Sequence, residues 1–515
     1  MPQEAEEVFE MSRSVSGGSS TLDFEHTEQD QLLSKEDQSD SDQDLDEQDE
    51  AWAIMMEEGG DSDTYEHDNL LLRYVCIGLA VGLFFIIFKI GMNKLAMHSG
   101  HHERAAEKLY YNGSDYFAST VILISLDGFR PDYLDRGITP HLNALASQGA
   151  MAKYMHPSFP PSTFPNHWTL VTGLYPETHG VVANLFYDPT MDTTFSHTNH
   201  TATSDHRWWK GEPIWVTSKI NRRRSGSIMW PGSDTNFNPP DLVVPYDDTM
   251  GTKEKMDTVL QWLDMPYNSR PEIITVHVPQ VDQEGHRAGP YGAKMNTFIK
   301  EIDNAIGYLV AQLETRSLDS HAHIVVVSDH GMAETGPSKL IYYDDILSKD
   351  TLQYIQQREA LPLLDLRLQK EAPQDTVQRI YHELATYAQN NTNAHYQVYL
   401  REDVPERYHY SHSDRITPIV AIPDVGYTFV THAEVKHDRF ISGGNHGYDN
   451  LADDMRAIFI AKGPKVSRIF KEGTILAPFF NIEIYGFVTE LLNIDAAPNN
   501  GTLRGEFPVL FSPPF

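Results

Sequence analysis

Four short apolar runs follow residue 119, and each has the length of a buried β-strand. Three of them consist mainly of Val, Ile and Leu, and none shows the strict apolar–polar alternation of a half-exposed strand. Continuous runs of this kind are typical of strands that are buried on both faces of a sheet. The predicted strands are Thr120–Leu126, Ile273–Val278, His323–Val327 and Ala457–Ala461.

The apolar positions between the second and third runs follow a helical spacing instead. They recur every three or four residues, which places them on one helix face. Strand and helix signals that alternate in this way predict an α/β fold with a mainly parallel sheet flanked by helices. We expect residues 119–515 to form this folded domain. The positions on the helix face are Phe298, Ile302, Ile306, Leu309, Val310 and Leu313.

A longer apolar run precedes the folded domain. Tyr74–Phe88 carries no charge, residues 70–72 are leucines, and Arg73 and Lys89 stand at its two ends. A bilayer needs about 20 apolar residues, or fewer when flanking cations reach the interface. The run begins too far from the first residue for a cleaved signal peptide. We therefore predict one transmembrane signal-anchor helix over residues 70–90.

The segment before this anchor is strongly acidic. Residues 1–69 hold 23 Asp and Glu against only Arg13 and Lys35, and Asp37–Glu50 contains one apolar residue. Such a composition cannot bury enough apolar surface to offset the entropy of the chain, so it predicts a disordered tail. After the anchor, the polar residues 91–118 are predicted to form a stalk.

The charge of the folded domain excludes one class of partner. The whole chain has a net charge of −33, but the part after residue 69 holds 50 acidic and 38 basic residues. This modest acidic excess makes a basic groove for a long nucleic acid unexpected. Cys76 is the single cysteine, which excludes an intrachain disulfide and a thiolate metal site. The sequence identifies no protein partner.

Two signals disagree about the orientation of the anchor. Basic residues near it are more frequent on its C-terminal side, which by the positive-inside rule would leave the domain in the cytosol. Four N-glycosylation sequons after the anchor favour the opposite orientation. We expect a single-pass type II protein whose domain lies outside the cell or in the secretory or vacuolar lumen. The sequons begin at Asn112, Asn199, Asn390 and Asn500.

Residues that can bind metal follow each of the first three predicted strands. Alone, an Asp-Gly pair is usually a turn, and a His in a Gly-rich loop is usually structural. In parallel sheets, however, ligands bind beyond the carboxyl ends of the strands, where these side chains would meet. The residues are Asp127 after the first strand, Asp282 and His286 after the second, Asp329 and His330 after the third, and His446 in the loop GGNHGYDN.

Carboxylates and imidazoles without thiolates suit Zn²⁺ or a similar divalent ion. Six such ligands are too many for one tetrahedral zinc ion, so they predict two ions. Paired ions of this kind can stabilise both the attacking and the leaving oxygen of a displacement at phosphorus.

A proline-rich segment supplies candidates for the nucleophile. HPSFPPSTFPNHWTLV contains Ser158, Ser162 and Thr163 among four prolines, and HWTLV is typical of the start of a helix. A hydroxyl at a helix N-terminus lies in positive potential, which favours an alkoxide or a phosphoester. Coordination to a metal would lower the pKa of that hydroxyl further.

These motifs together resemble the nucleotide pyrophosphatase/phosphodiesterase family of the alkaline-phosphatase superfamily. The resemblance extends from about residue 120 to residue 514 and is closest to fungal members. It rests on SLDGFRP, PSTFPNHWTLVTGLYPETHGVVANLFYDP, MWPGSD, VPQVDQEGHRAGP, SDHGM and NHGYDN, which occur in the order of the family. The resemblance implies an alkaline-phosphatase-like fold and a phosphodiesterase catalytic domain.

Matched position by position, the family pattern makes Thr163 the nucleophile. Asn184 matches the side chain that stabilises the transferred phosphoryl oxygens, and Phe164 and Tyr246 match the pair that sandwiches the nucleobase. The Tyr246 match crosses a variable stretch. The resemblance implies that one metal is held by Asp127, Thr163, Asp329 and His330, and the other by Asp282, His286 and His446.

The reaction implied by the resemblance is a double displacement through a covalent Thr163 intermediate. Its substrates would be nucleotide diesters and pyrophosphates, including nucleoside triphosphates and dinucleotides. Two alternatives keep the same fold. One is a phosphodiesterase of lysophospholipids or choline esters, and the other is an inactive membrane-tethered binding protein. Hydrolysis of ATP measured beside that of glycerophosphocholine distinguishes these alternatives.

Overall fold

The computed structural model describes residues 109–436 and 442–513. The predicted acidic tail, the predicted anchor and most of the predicted stalk lie outside these residues. Within the described residues, no helix combines the length and the apolar character that crossing a bilayer requires.

A nine-stranded sheet forms the centre of the described chain. Its strands are β1 Thr120–Leu126, β2 Ala150–Ala152, β3 Ser225–Ile228, β4 Leu242–Val244, β5 Ile273–Val278, β6 Ala322–Val327, β7 Phe459–Lys462, β8 Thr474–Leu476 and β9 Val509–Phe511. In spatial order they run β9-β8-β2-β7-β6-β1-β5-β3-β4.

The central strand β1 is buried along its whole length. Val121 and Leu123 belong to the hydrophobic core on one face of the sheet. Ile122 and Ile124 belong to the core on the other face. Because both faces are covered, every residue of the strand is screened from water, and the sequence shows a continuous apolar run rather than an alternation.

Helices cover both faces of this sheet. α2 and α8 contribute Trp168, Val171 and Phe487 to one core, while α4 and α6 contribute Val259 and Ile302 to the other. The helices of seven or more residues are α1 Pro140–Ser147, α2 Thr163–Thr172, α3 Ile214–Ile220, α4 Thr252–Leu263, α5 Gln280–Ala288, α6 Ala293–Thr315, α7 Thr376–Asn390 and α8 Glu483–Leu492. The predicted helix face lies on α6.

The sheet is mixed rather than uniformly parallel. β1, β3, β4, β5 and β6 form a parallel block. β7 runs antiparallel to β6 and to β2. β7 corresponds to the predicted strand Ala457–Ala461, whose direction the apolar run alone does not encode. The α/β prediction is therefore confirmed with a large mixed sheet.

A second sheet of four strands lies between β6 and β7 in the chain, with α7 packed against it. Its core includes Leu364, Ile380, Leu384 and Phe429. None of the predicted metal ligands belongs to this sheet. Its strands, in spatial order, are Ile355–Glu359, Leu364–Leu368, Ile419–Pro423 and Tyr396–Leu400.

The last ten residues of the predicted stalk form a small hairpin. Tyr110–Tyr111 pairs antiparallel with Tyr116–Phe117. Asn112 donates to the carbonyl oxygen of Arg316, just after α6, over 2.9 Å. Phe117 is buried. This part of the segment therefore packs on the domain.

Candidate active site

The predicted metal ligands meet at the carboxyl end of the parallel block. Asp127 directly follows β1, and Asp329 and His330 lie just beyond β6. Asp282 and His286 stand one turn apart on α5, which begins soon after β5. The parallel register of β1, β5 and β6 aligns their ends, so these side chains converge as the strand-end rule predicts.

His446 reaches the same place through a short strand pair. Ala333–Glu334 pairs antiparallel with Gly444–Asn445, which brings the two loops together. Gly443 donates to the carbonyl oxygen of His286 over 2.8 Å. A Cβ on Gly443 would lie 2.4 Å from the backbone of Ala288 and Gly289, so only glycine allows this approach. The Gly-rich loop thus carries His446 against α5.

The first group of ligands surrounds the predicted nucleophile. Nε2 of His330 lies 3.0 Å from Oδ2 of Asp329 and 3.5 Å from Oδ1 of Asp127. The same nitrogen lies 3.3 Å from Oγ1 of Thr163. Nδ1 of His330 faces the carbonyl oxygen of Gly331 at 2.8 Å, which accepts its hydrogen. The Nε2 lone pair therefore points into the group.

The second group consists of Asp282, His286 and His446. The Nδ1 atoms of the two histidines face the carbonyl oxygens of Gly444 and Pro161 at 3.1 and 2.9 Å. In neutral rings both Nε2 atoms then carry lone pairs, yet they lie 3.0 Å apart. The Asp282 carboxylate lies 3.5 Å from each. Lone pairs and a carboxylate at these distances repel each other unless a cation lies between them.

Buried carboxylate oxygens without hydrogen-bond partners also indicate that this site binds cations. Within the described residues, Oδ1 of Asp127 and Oδ1 of Asp282 are buried without a hydrogen-bond partner. Buried carboxylate oxygens are normally paired, so two exceptions at one place require an explanation. Four groups of the described residues could hold a metal ion, and two of them consist of the predicted ligands, Asp127/Asp329/His330 and Asp282/His286/His446. The rings of His330 and His446 stack at 3.6 Å where the clusters meet.

The carboxylates of the first cluster influence each other strongly. Burial, together with the charges of Asp329 and Asp282, raises the pKa of Asp127 well above its usual value. Burial opposes ionisation of Asp329 too, but His330 and His167 lower its pKa well below the usual value. Burial also lowers the pKa of His446 well below its usual value. A neutral His446 is the form that can bind a metal.

Thr163 is the first residue of α2 and is half-buried. The N-cap residue, Ser162, makes no side-chain hydrogen bond to the helix. The N-terminal helix dipole is therefore directed at the predicted nucleophile. The loop before it, Pro157–Ser162, is called here the nucleophile loop. Asn166, in the first turn of α2, donates to the carbonyl oxygens of Pro160 and Ser162 over 2.9 Å each.

A cavity of about 510 Å³ opens beside Thr163 and both clusters. Phe164 and Tyr246 both line it, as the sequence match requires. Oδ1 of Asn184 accepts from the backbone N–H of Phe164 over 3.0 Å, which leaves its amide N–H groups as the donors it can offer. Trp230, Asp234 and His197 complete much of the wall.

Two buried histidines behind the clusters were not found from the sequence. His277 lies on β5 and His167 on α2, where they contact Asp127 and Asp329, respectively. The available signal was a histidine inside the apolar run IITVHV. A buried polar residue in such a run must have a partner, but the sequence does not identify that partner.

Comparison with known proteins adds the decisive observation. The family model of type I phosphodiesterase / nucleotide pyrophosphatase matches residues 121–449, which include every predicted ligand. The chain belongs to this family. The sequence-based assignment to the family and to its enzyme class is thus confirmed.

Individual members of the phosphodiesterase family show how far the similarity extends. An uncharacterized pyrophosphatase/phosphodiesterase of Schizosaccharomyces pombe is 41% identical over 78% of this chain and 82% of its own length. Ectonucleotide pyrophosphatase/phosphodiesterase family member 3 of Rattus norvegicus is 36% identical over 77% of this chain. The chain spans only 44% of the length of that rat relative.

A solved member of the family shares the fold. The structure is murine ectonucleotide pyrophosphatase/phosphodiesterase 5, an inactive threonine-to-alanine variant in complex with AMP. It is 31% identical, has a TM-score of 0.68, and covers 75% of this chain and 98% of its own. The phosphodiesterase-family fold of the present chain is thereby supported independently of its motifs.

The sequons of this family member differ in their accessibility. Asn199 and Asn390 are exposed. Asn112 is half-buried, and its side-chain nitrogen is engaged with Arg316. Asn500 is half-buried and accepts from the backbone of Tyr175. Asn199 and Asn390 are therefore the better candidates for a glycan.

Proposed function

We propose that this protein is a two-metal hydrolase of nucleotide phosphodiester and pyrophosphate bonds with Thr163 as nucleophile. One observation carries the proposal: two clusters of three ligands direct unshared lone pairs and unpaired carboxylate oxygens towards a common space beside Oγ1 of Thr163. The cavity next to that oxygen is large enough for a small organic substrate.

The donor atoms fit two divalent cations, and we propose Zn²⁺. Each cluster offers imidazole nitrogen and carboxylate oxygen without sulfur, which is a typical set for zinc. Thr163 would complete the cluster of Asp127, Asp329 and His330. Bound there, the cations would favour the ionised Thr163 hydroxyl and offset negative charge on the phosphoryl oxygens.

The first half of the reaction transfers a nucleotidyl group to the protein. Oγ1 of Thr163 attacks phosphorus and forms an O–P bond, while the bond from phosphorus to the leaving oxygen breaks. The leaving group, an alcohol or a phosphate, departs with the electron pair of that bond, and in the net reaction it takes up the proton that the Thr163 hydroxyl loses. The N-terminus of α2 stabilises the negative charge on Oγ1. The product is a covalent Thr163 phosphodiester.

The second half restores the protein. A water oxygen attacks phosphorus and the bond between phosphorus and Oγ1 breaks. In the net reaction one proton of the water restores the Thr163 hydroxyl, and the nucleoside monophosphate leaves. Throughout both halves, Asn184 is placed to donate to a phosphoryl oxygen, since its carbonyl oxygen is already held by Phe164. Fixed donors of this kind stabilise charge that develops in the transition state.

Phe164 and Tyr246 would bind the nucleobase by stacking. Both rings line the cavity, and the Tyr246 hydroxyl accepts from Gln283 over 3.1 Å, which restrains its side chain. A relative solved with AMP supports nucleotides over phospholipids as the substrate class.

We further propose that the protein is a type II membrane protein with this domain outside the cytosol, as the sequons and the names of ectonucleotide relatives suggest.

The test compares three substrates with the metal-loaded full-length protein. We expect ATP and a dinucleotide to be hydrolysed to nucleoside monophosphates, and glycerophosphocholine to be hydrolysed far more slowly. Thr163→Ala should lower kcat at least about 10³-fold, while zinc, measured by mass spectrometry, remains bound. Rapid hydrolysis of glycerophosphocholine alone would support the choline-ester alternative. Failure with all three substrates would support the inactive binding protein.

A further inference from the structure

Two imidazoles form a second layer directly behind the candidate ligands. His277 on β5 and His167 on α2 are 3% and 0% exposed, and the small exposed part of His277 belongs to the wall of the cavity. Neither belongs to the six ligands predicted from sequence. Buried histidines at a metal site can position the ligands they contact.

His277 holds the carboxylate of Asp127 from behind. Its Nε2 lies 2.8 Å from Oδ2 of Asp127, and its Nδ1 lies 3.2 Å from the carbonyl oxygen of Met229. An ionised carboxylate only accepts hydrogen bonds, and the contact to Asp127 is shorter than the contact to Met229, so we place the ring hydrogen on Nε2, from which it is donated to Oδ2 of ionised Asp127. With Oδ2 occupied, the other oxygen, Oδ1, faces His330.

His167 connects the nucleophile to a second ligand. It lies one helical turn after Thr163, and its Nδ1 is 2.8 Å from the carbonyl oxygen of Thr163. The same nitrogen is 3.3 Å from Oδ2 of Asp329. One ring therefore fixes the distance between the start of α2 and the end of β6.

The two rings support each other and the cavity wall. They meet edge to face, with centroids 4.5 Å apart. The ring of Trp230 packs against His167 at 5.0 Å, and its Nε1 donates to the backbone oxygen of His167 over 3.0 Å. Trp230 also lines the cavity. The second layer is thus continuous from the cavity wall to Asp127.

We infer that His277 is a positioning residue that orients Asp127 for metal binding, with His167 fixing Asp329 and Thr163 in the same layer. This inference rests on the proposed function, because it assumes that Asp127 binds a metal ion. His277 acts through Asp127, the side chain that its Nε2 contacts. Removal of such a supporting hydrogen bond weakens metal binding about 10- to 100-fold.

The test compares His277→Leu with His277→Gln in the full-length protein. Leucine fills similar space without a donor, whereas the side-chain amide of glutamine can place an N–H near the position of Nε2. We expect zinc affinity, measured by calorimetric titration of chelator-treated protein, to fall about 10- to 100-fold in His277→Leu. His277→Gln should recover most of it. In the leucine variant, kcat should fall while KM changes little.

A matched control comes from the neighbouring strand β6. His323 is also buried, at 1% exposed, and pairs with the carbonyl oxygen of Thr120 at the end of the sheet opposite to the ligands. His323→Leu should lower the melting temperature without changing zinc affinity. Equal losses of zinc affinity in His277→Leu and His323→Leu would overturn the inference, as would an unchanged zinc affinity in His277→Leu.

The two proposals fail in distinguishable ways. Zinc titration needs no substrate, so the role of His277 can be established even if the parent protein hydrolyses no nucleotide. Conversely, a parent that hydrolyses ATP, with a leucine variant of normal zinc affinity and normal kcat, would retain the proposed function and reject the inference.

Discussion

At the scale of single residues, the site depends on side chains that hold others in place. Asn166 is an example. Besides its two donated hydrogen bonds to the nucleophile loop, its Oδ1 accepts from the backbone of Ser158 and from Asn481, over 2.8 Å each. Both donor hydrogens and both acceptor positions of this buried amide are used, which specifies a single conformation of the nucleophile loop.

Replacing Asn166 by Ala should therefore destabilise the protein and impair catalysis. Four buried partners would lose their hydrogen bonds, and we expect the free energy of unfolding to fall by about 2–4 kcal/mol. Urea denaturation measures this loss. Asn221→Ala is the control, since the half-buried Asn221 donates to Thr217 near the surface, over 2.8 Å. A similar loss in both variants would contradict the role given to Asn166.

A second residue-scale prediction concerns nucleobase stacking. Removal of one aromatic partner costs about 1–3 kcal/mol per base, so Phe164→Ala should lower kcat/KM for ATP about 5- to 150-fold. Steady-state kinetics with ATP measures the change. Tyr387→Ala, on the exposed side of α7, should leave kcat/KM unaltered. An unchanged value in Phe164→Ala would show that the base binds elsewhere.

At the scale of elements, the site requires loops to approach helices very closely. The strand pair that carries His446 lies against α5, and the contact at Gly443 leaves no space for a side chain. The close fit determines whether the second cluster forms, because Asp282 and His286 are on the helix and His446 directly follows the strand.

Gly443→Ala should consequently move His446 away from Asp282 and His286, so that the second cluster no longer forms. The added methyl group would meet backbone atoms rather than a flexible side chain, so the strand must shift. We expect the zinc content to fall from two ions towards one, measured by elemental analysis, with loss of hydrolysis. Gly336→Ala in the neighbouring loop is the control, because a Cβ there meets nothing within 4 Å. Two bound ions in Gly443→Ala would refute this account.

At the scale of the whole molecule, buried neutral histidines link stability to pH. Burial lowers the pKa of His179 to about 3 and that of His323 to about 4. The charges of Lys465 and His321 lower the pKa of His323 further. Each folded pKa lies below the unfolded value of about 6.5. The unfolded state therefore binds more protons, so stability is retained above pH 6.5 and is lost as the pH falls below it.

We predict that, as the pH falls from 6 to 5, each of these histidines lowers the free energy of unfolding by about 1.4 kcal/mol. Urea denaturation at several pH values measures the slope. His323→Gln should reduce that slope by about one proton, because its side chain does not titrate. An identical slope in the parent and in His323→Gln would show that His323 is already protonated in the folded protein.

Four of the nine strands of the central sheet and the candidate ligands could be predicted from the sequence, for a physical reason. β1, β5 and β6 are buried on both faces, so each appears as a continuous apolar run. A charged residue directly after such a run lies at the sheet edge, which made Asp127 and Asp329 recognisable. Both properties are local, and local sequence therefore encodes them.

The tertiary structure decided what depends on contacts between distant segments. The antiparallel direction of β7 follows from the path of the chain rather than from its apolar run. His446 joins Asp282 because Gly443 lets two backbones meet. His277 supports Asp127 because β5 and β1 are neighbours in register. The sequence by itself identified the candidate residues for the chemistry, and only the folded chain decided which of them meet, because side chains from distant segments converge only through long-range packing.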